Sequence, residues 1–274
     1  MNNSTINFTS EASTNSLYIL FLSTLDLSIY YINFLFGFPT HSYVLWLIVT
    51  GSSEVSSEFF NLNLCVCELG ICLHSLLSVI LYCFKLPYDI PLFLLGLIIT
   101  GRPLFQCVIC VERYLAVVHP VTFLKYKPLR YRVICCAVAW IIILISCVFC
   151  MLTSLQIKIN VYFSLSQYVL FLSVQLFCLV AVLRALKQSG PGERKREKEE
   201  NQMKRRAFFI ILIATVTMSV SYIPYIISGF LYCFTQNYIG IIFSLGFLCF
   251  ILGGFVEPVL YLHRSGKMHW LCSI

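Results

Sequence analysis

Seven apolar runs follow one another along the chain, at about 27–50, 59–83, 91–118, 133–153, 162–186, 206–232 and 238–262. Each is long enough to cross a bilayer, which takes about 20 residues of helix. A segment alone in lipid must satisfy its own backbone hydrogen bonds, so the pattern predicts seven transmembrane helices. The first run begins earlier, at Leu17, and its outer boundary is soft. The breaks between runs are polar or carry proline: Ser52 to Glu58, then Lys85, Pro87, Asp89 and Pro91, then a stretch with Pro120, Pro128 and four basic residues. The longest break, 187–205, holds Ser189-Gly190-Pro191-Gly192 and a dense charge run. The alternation of a membrane barrel is absent, and so is the internal repeat that marks many transporters.

Composition removes the soluble alternative. Hydrophobic residues make up 59%, charged residues 11%, and the mean hydropathy is +0.86. A soluble domain carries about 25% charge, and this chain has too little to cover its apolar surface. The net charge of +7 raises nucleic acid as a partner, but the placement of the charges removes it. Of 19 Lys and Arg, all except Lys85, Arg102 and Lys158 fall at the inner ends of helices three to six, in the loops joining three to four and five to six, or after helix seven. That asymmetry is a topology signal, which puts those loops in the cytoplasm and the N-terminus outside. No Lys or Arg precedes Lys85, so the first run lacks the basic start of a signal peptide and reads as a retained helix. Asn2, Asn3 and Asn7 each begin a glycosylation tripeptide, consistent with an outer N-terminus. The expected fold is an all-α membrane protein. Residues 1–26 form an extracellular segment, 27–262 a seven-transmembrane helix bundle, and 263–274 a short cytoplasmic tail with an amphipathic helix. Cys272 in that tail is a palmitoylation candidate. The place expected for such a protein is the plasma membrane, with the lipid bilayer as its surroundings.

Ionisable groups inside a membrane are costly and mark function or paired structural sites. Asp26 lies near the outer face, His41, Glu68, Arg102 and Glu257 lie deep, and Glu112-Arg113 lies near the inner end of helix three. Arg102 precedes Arg113 by eleven residues. At about 1.5 Å per residue that is about half the hydrocarbon thickness, so Arg102 sits near the midplane. The 14 cysteines fall mostly in apolar runs and read as small buried side chains. No metal-ligand spacing appears, and Cys107-Val108-Ile109-Cys110 lies within helix three. No cofactor is expected.

Glu112-Arg113-Tyr114, followed by Leu115-Ala116-Val117-Val118-His119-Pro120, resembles the inner end of helix three in rhodopsin-like (class A) G-protein-coupled receptors. Other landmarks fall in order: Leu45-Trp46, Asn63 to Glu68, Trp140, Tyr222-Ile223-Pro224-Tyr225, and Glu257-Pro258-Val259-Leu260-Tyr261. The resemblance spans about 27–270, nearest in tone to the purinoceptor-like branch. It implies a receptor that passes an extracellular signal to a heterotrimeric G protein. In that reading Glu112 holds Arg113 while the bundle is closed, Pro224 pivots helix six, and Tyr222, Pro258 and Tyr261 serve activation. Lys204 stands where many relatives hold an acid that latches the helix-three arginine, so raised basal signalling is expected.

Departures from the family pattern are equally informative. His41, Glu68, Arg102 and Glu257 occupy positions that surround a sodium ion in relatives. The expectation is that the Arg102 guanidinium replaces the ion between the two carboxylates, with His41 as an added donor. Tyr222 replaces the usual tryptophan and adds a hydroxyl that needs a partner. The outer disulfide of the family is missing, and Cys83, Cys150 and Cys233 are left for a substitute whose pairing stays open. Tyr82, Lys85, Lys158, Tyr162 and Tyr232 could line a pocket for a small or lipid-like, mostly apolar ligand with one acid group, or anchor the helix ends at the interface. The absence of basic residues in the outer half of helix six argues against a nucleotide. Competing readings are a degenerate or constitutively active receptor-like protein, a transporter, and a membrane enzyme. The last is disfavoured by five histidines scattered in depth, and no catalytic residue is assigned.

Overall fold

The computed structural model describes residues 24–51, 58–85, 89–126, 128–153, 156–187, 195–235 and 240–264. Seven helices there are long and apolar enough to cross a membrane: α1 (Thr24–Thr50), α2 (Phe59–Phe84), α3 (Ile90–Val118), α4 (Leu129–Leu152), α5 (Lys158–Lys187), α6 (Lys204–Leu231) and α7 (Ser244–His263). No strand occurs among the described residues. Helix α4 starts at Leu129, earlier than the apolar run at 133, so Arg130 and Arg132 belong to its first turn. A short helix, Pro120–Tyr126, joins α3 to α4 on the inner side. The glycosylation tripeptides at Asn2, Asn3 and Asn7, and Cys272, lie outside the described residues.

Two wide π turns interrupt the spans, Asn33–Gly37 in α1 and Leu97–Gly101 in α3. Each ends two residues before a proline, Pro39 and Pro103. A proline lacks the N–H and its ring presses on the carbonyl four residues back, here Leu35 and Ile99, so the turn opens instead of closing as α. Pro224 lies inside the sixth helix without ending it. In α7 the α geometry breaks at Phe255, and the chain resumes as helix from Val256. Pro258 explains the break, since its ring presses on the carbonyl of Gly254.

Small residues let the central helices approach closely. A Cβ added at Gly96 of α3 would collide with the backbone of Cys147 in α4, and one at Gly253 of α7 with Ser221 of α6. Without a hydrophobic drive between helices in lipid, such close packing and interhelical hydrogen bonds hold the bundle. Thr100 of α3 donates to Ser146 of α4 at 2.6 Å or Gln167 of α5 at 2.8 Å. Trp140 Nε1 donates to Asn63 Oδ1 at 2.9 Å, tying α4 to α2. Helix α3 is the axis of the bundle: 72% of its most apolar window is buried, against 22% for α5.

Candidate functional site

The deep charges meet where α2, α3 and α7 converge. Arg102 forms a two-pronged pair with Glu68, Nε to Oε1 at 2.5 Å and Nη2 to Oε2 at 2.7 Å. Nη1 donates to the backbone carbonyl of Phe250 in α7. The guanidinium carbon lies 3.7 Å from the centre of the Phe250 ring, a cation–π contact. Both charged side chains are buried. Gly254 makes room for them, since a Cβ there would stand 2.6 Å from Arg102 Nη2 and 3.2 Å from Glu68 Oε2. One carboxylate, one carbonyl and one ring face therefore surround the guanidinium.

Two sequence expectations are corrected here. Glu257 forms no ion pair with Arg102 among the described residues, although it lies close enough to feel the charges of both Glu68 and Arg102. It follows the break at Phe255 and lines an inner cavity. His41 Nε2 stands 3.9 Å from Glu68 Oε2, near enough for electrostatics but beyond hydrogen-bond length.

The inner end of α3 also departs from expectation. Glu112 accepts a hydrogen bond from Arg132 Nη2 of α4, which is an ion pair between two buried side chains. No hydrogen bond joins Glu112 to Arg113 among the described residues. Neighbours in a helix point about 100° apart, so Glu112 faces α4 while Arg113 faces the bundle interior. Arg113 Nε is buried without a hydrogen-bond partner among the described residues. The Tyr114 hydroxyl meets His119 Nε2 at 3.0 Å. Arg113 lines a cavity of about 520 Å³ that runs from His41, Glu68 and Glu257 inward to Arg206 and Tyr261, with Pro258 in its wall.

A second cavity of about 220 Å³ lies on the outer side of the Arg102–Glu68 pair. Tyr222, Phe250, His74, Tyr30 and Phe247 are among its lining residues. Tyr222 is buried and its hydroxyl donates to the carbonyl of Ile98 at 3.2 Å, the partner its replacement of tryptophan requires. Its ring meets Phe250 edge-on at 5.6 Å. Phe250 thus faces the outer cavity and also holds Arg102.

The residues expected to line a ligand pocket are elsewhere. Tyr82 and Tyr162 are 45% and 59% exposed, and Lys85 and Lys158 are exposed as well. None of the four lines the outer cavity. They sit toward helix ends with their side chains turned outward, as interfacial anchors do. Lys85 also closes α2 in the left-handed conformation, with φ of 52°. The side chain of Tyr232 lies outside the described residues. Cys83 and Cys150 are both free, so these two do not replace the family's outer disulfide.

Sequence reasoning missed Arg132, Phe250, Gly254 and His74. His74 was within reach, as an ionisable side chain deep in an apolar run. Arg132 stands at the very start of such a run, where it reads as part of the loop charge. Phe250 and Gly254 carry no signal of their own in an apolar helix.

No protein-family model matches the chain. It is 22% identical over 282 residues to the uracil nucleotide/cysteinyl leukotriene receptor of Rattus norvegicus, covering 89% of this chain and 81% of that one. It is 27% identical over 233 residues to chemokine XC receptor 1 of Mus musculus, covering 78% and 69%. It is 26% identical over 197 residues to G-protein coupled receptor 35 of Homo sapiens, covering 66% and 63%.

Proposed function

Because the chain is a multi-pass plasma-membrane receptor of the rhodopsin-like (class A) G-protein-coupled kind, we propose that it signals to a heterotrimeric G protein through the inner cavity, with Arg113 as the contact group. The observation that carries this reading is the position of Arg113. It lines the inner cavity while its neighbour Glu112 is engaged by Arg132. A guanidinium with no hydrogen bond to the adjacent acid can turn its donors to a carbonyl or carboxylate of an incoming partner segment. Arg206 on α6 lines the same cavity. Outward movement of α6 about Pro224 would widen it, and Tyr261 would turn into the space.

The outer cavity takes the extracellular ligand, a small molecule. Phe250 and Tyr222 form its inner wall and touch the helices that move. A ligand that favours one packing of these rings shifts the population of the inner arrangement by its differential affinity for the two states. Arg102 stands in place of the sodium ion that relatives hold at mid-membrane. The relatives named above are receptors, and this reading assigns the chain no catalytic chemistry.

An Arg113 without a hydrogen bond to Glu112 also favours signalling without ligand. The test is basal G-protein activation in cells, with Arg113→Ala at matched surface expression. Basal activity above mock-transfected cells that Arg113→Ala removes is the expected result. Activity at the mock level, with or without ligand, would instead indicate a receptor-like protein that no longer signals.

A further inference from the structure

The outer cavity carries its own chemical selectivity. Among the described residues, no Lys, Arg, Asp or Glu lines it. Most of its wall is apolar or aromatic, including Leu95, Ile98 and Ile99 of α3 and Phe247 and Phe250 of α7. An ion entering would shed its water and meet no counter-charge, which is the most costly form of burial.

The polar groups of the wall are mostly occupied as donors. The Ser78 hydroxyl donates to the His74 carbonyl at 2.8 Å, and Ser164 to the Asn160 carbonyl at 2.8 Å. Ser221 donates to the Cys249 carbonyl at 3.4 Å, and Tyr222 to the Ile98 carbonyl at 3.2 Å. His74 differs. The residue is 5% exposed, and its Nδ1 is buried without a hydrogen-bond partner among the described residues. Its ring leans against Tyr30, with centres 5.7 Å apart. An uncharged imidazole offers one donor and one acceptor nitrogen, and leaving a buried polar atom unmatched is costly. A hydroxyl can meet the imidazole as donor or as acceptor, whichever tautomer is present.

Size narrows the occupant further. An apolar cavity of about 150 Å³ in another protein holds benzene. The 220 Å³ here suits one ring or two fused rings. From these observations we infer that the outer cavity binds a compact, neutral, mostly apolar molecule bearing one hydroxyl, and that His74 is the residue that recognises it. This deepens the receptor reading above and rests on it for the claim that the occupant is a signal. It also replaces the expected acid group, because the lysines that would have met an acid lie outside the cavity.

The test uses the full chain, purified in lipid nanodiscs, and three probes of one shape: 1-naphthalenemethanol, 1-methylnaphthalene and 1-naphthoate. Binding is read as saturable thermal stabilisation, followed by exposure of buried cysteines to a thiol dye. The alcohol should bind about tenfold more tightly than the hydrocarbon, which is the worth of one buried hydrogen bond. The acid should not bind. His74→Phe should abolish the preference for the alcohol while keeping the hydrocarbon, and His74→Leu serves if the phenylalanine variant does not fold. Equal binding of alcohol and hydrocarbon would overturn the inference. So would binding of the acid as tightly as the alcohol, no binding by any probe, or an undiminished preference in both variants. None of these readouts involves a G protein. Saturable alcohol binding by a receptor that activates no G protein would leave the site assignment standing and defeat the coupling reading.

Discussion

Glu112 accepts a hydrogen bond from Arg132 across the α3–α4 interface and leaves Arg113, its chain neighbour, facing the inner cavity. The pair works as a restraint on the acid. With Arg132 in place, Glu112 is committed to α4.

Arg132→Gln should therefore lower basal signalling. Glutamine still donates a hydrogen bond but no longer supplies the charge, so Glu112 is freer to turn toward Arg113. Basal G-protein activation should fall toward that of Arg113→Ala at equal surface expression. Unchanged or increased basal activity would show that Glu112 does not compete for Arg113.

Breaking the mid-membrane pair should cost far more than replacing both members. Arg102→Met leaves Glu68 buried without its cation, and loss of one partner of such a pair costs about 3–5 kcal/mol. Surface expression and melting temperature should both drop. The double variant Glu68→Gln with Arg102→Met should recover most of the loss. Additive losses in the double variant would contradict a shared interaction.

If Arg102 stands where relatives hold sodium, the unmodified receptor should melt at the same temperature in sodium and potassium chloride of equal strength. Arg102→Ser opens the space beside Glu68 and should make melting sodium-dependent. Sodium-dependent melting of the unmodified protein would refute the replacement.

Gly254→Ala addresses the room that the ion pair needs. The new methyl would stand 2.6 Å from Arg102 Nη2 and force the guanidinium or α7 to shift. A loss of about 1–3 kcal/mol is expected, as for other overpacked interiors, and a melt of the purified protein reads it. A neutral result would mean that α7 can move away from Arg102 without cost.

The seven spans were legible because lipid imposes a one-dimensional rule on apolar length, and Glu68 with Arg102 because both fall at the same depth. Rotation about a helix axis was not legible at the ends. Glu112 and Arg113 are adjacent in sequence, but only the packing of α4 decides which of them meets Arg132. Glu257 shares a depth range with the buried pair, yet it forms no ion pair with Arg102 among the described residues, and depth alone does not tell which acid the guanidinium meets. Tyr82 and Tyr162 are the kind of side chain that lines pockets and also the kind that marks interfaces, and apolar run lengths do not tell inward from outward.

The π turn at Leu97–Gly101 has a consequence for comparison with relatives. A π turn holds one residue more than an α turn for the same advance along the axis. Counting outward from Arg113 therefore runs one position out of step beyond Leu97, relative to a helix three that is α throughout. Every residue of the outer half of α3 presents the face that such a relative assigns to its neighbour. Ligand-contact positions transferred by counting would then name the wrong side chains above the turn and the right ones below it.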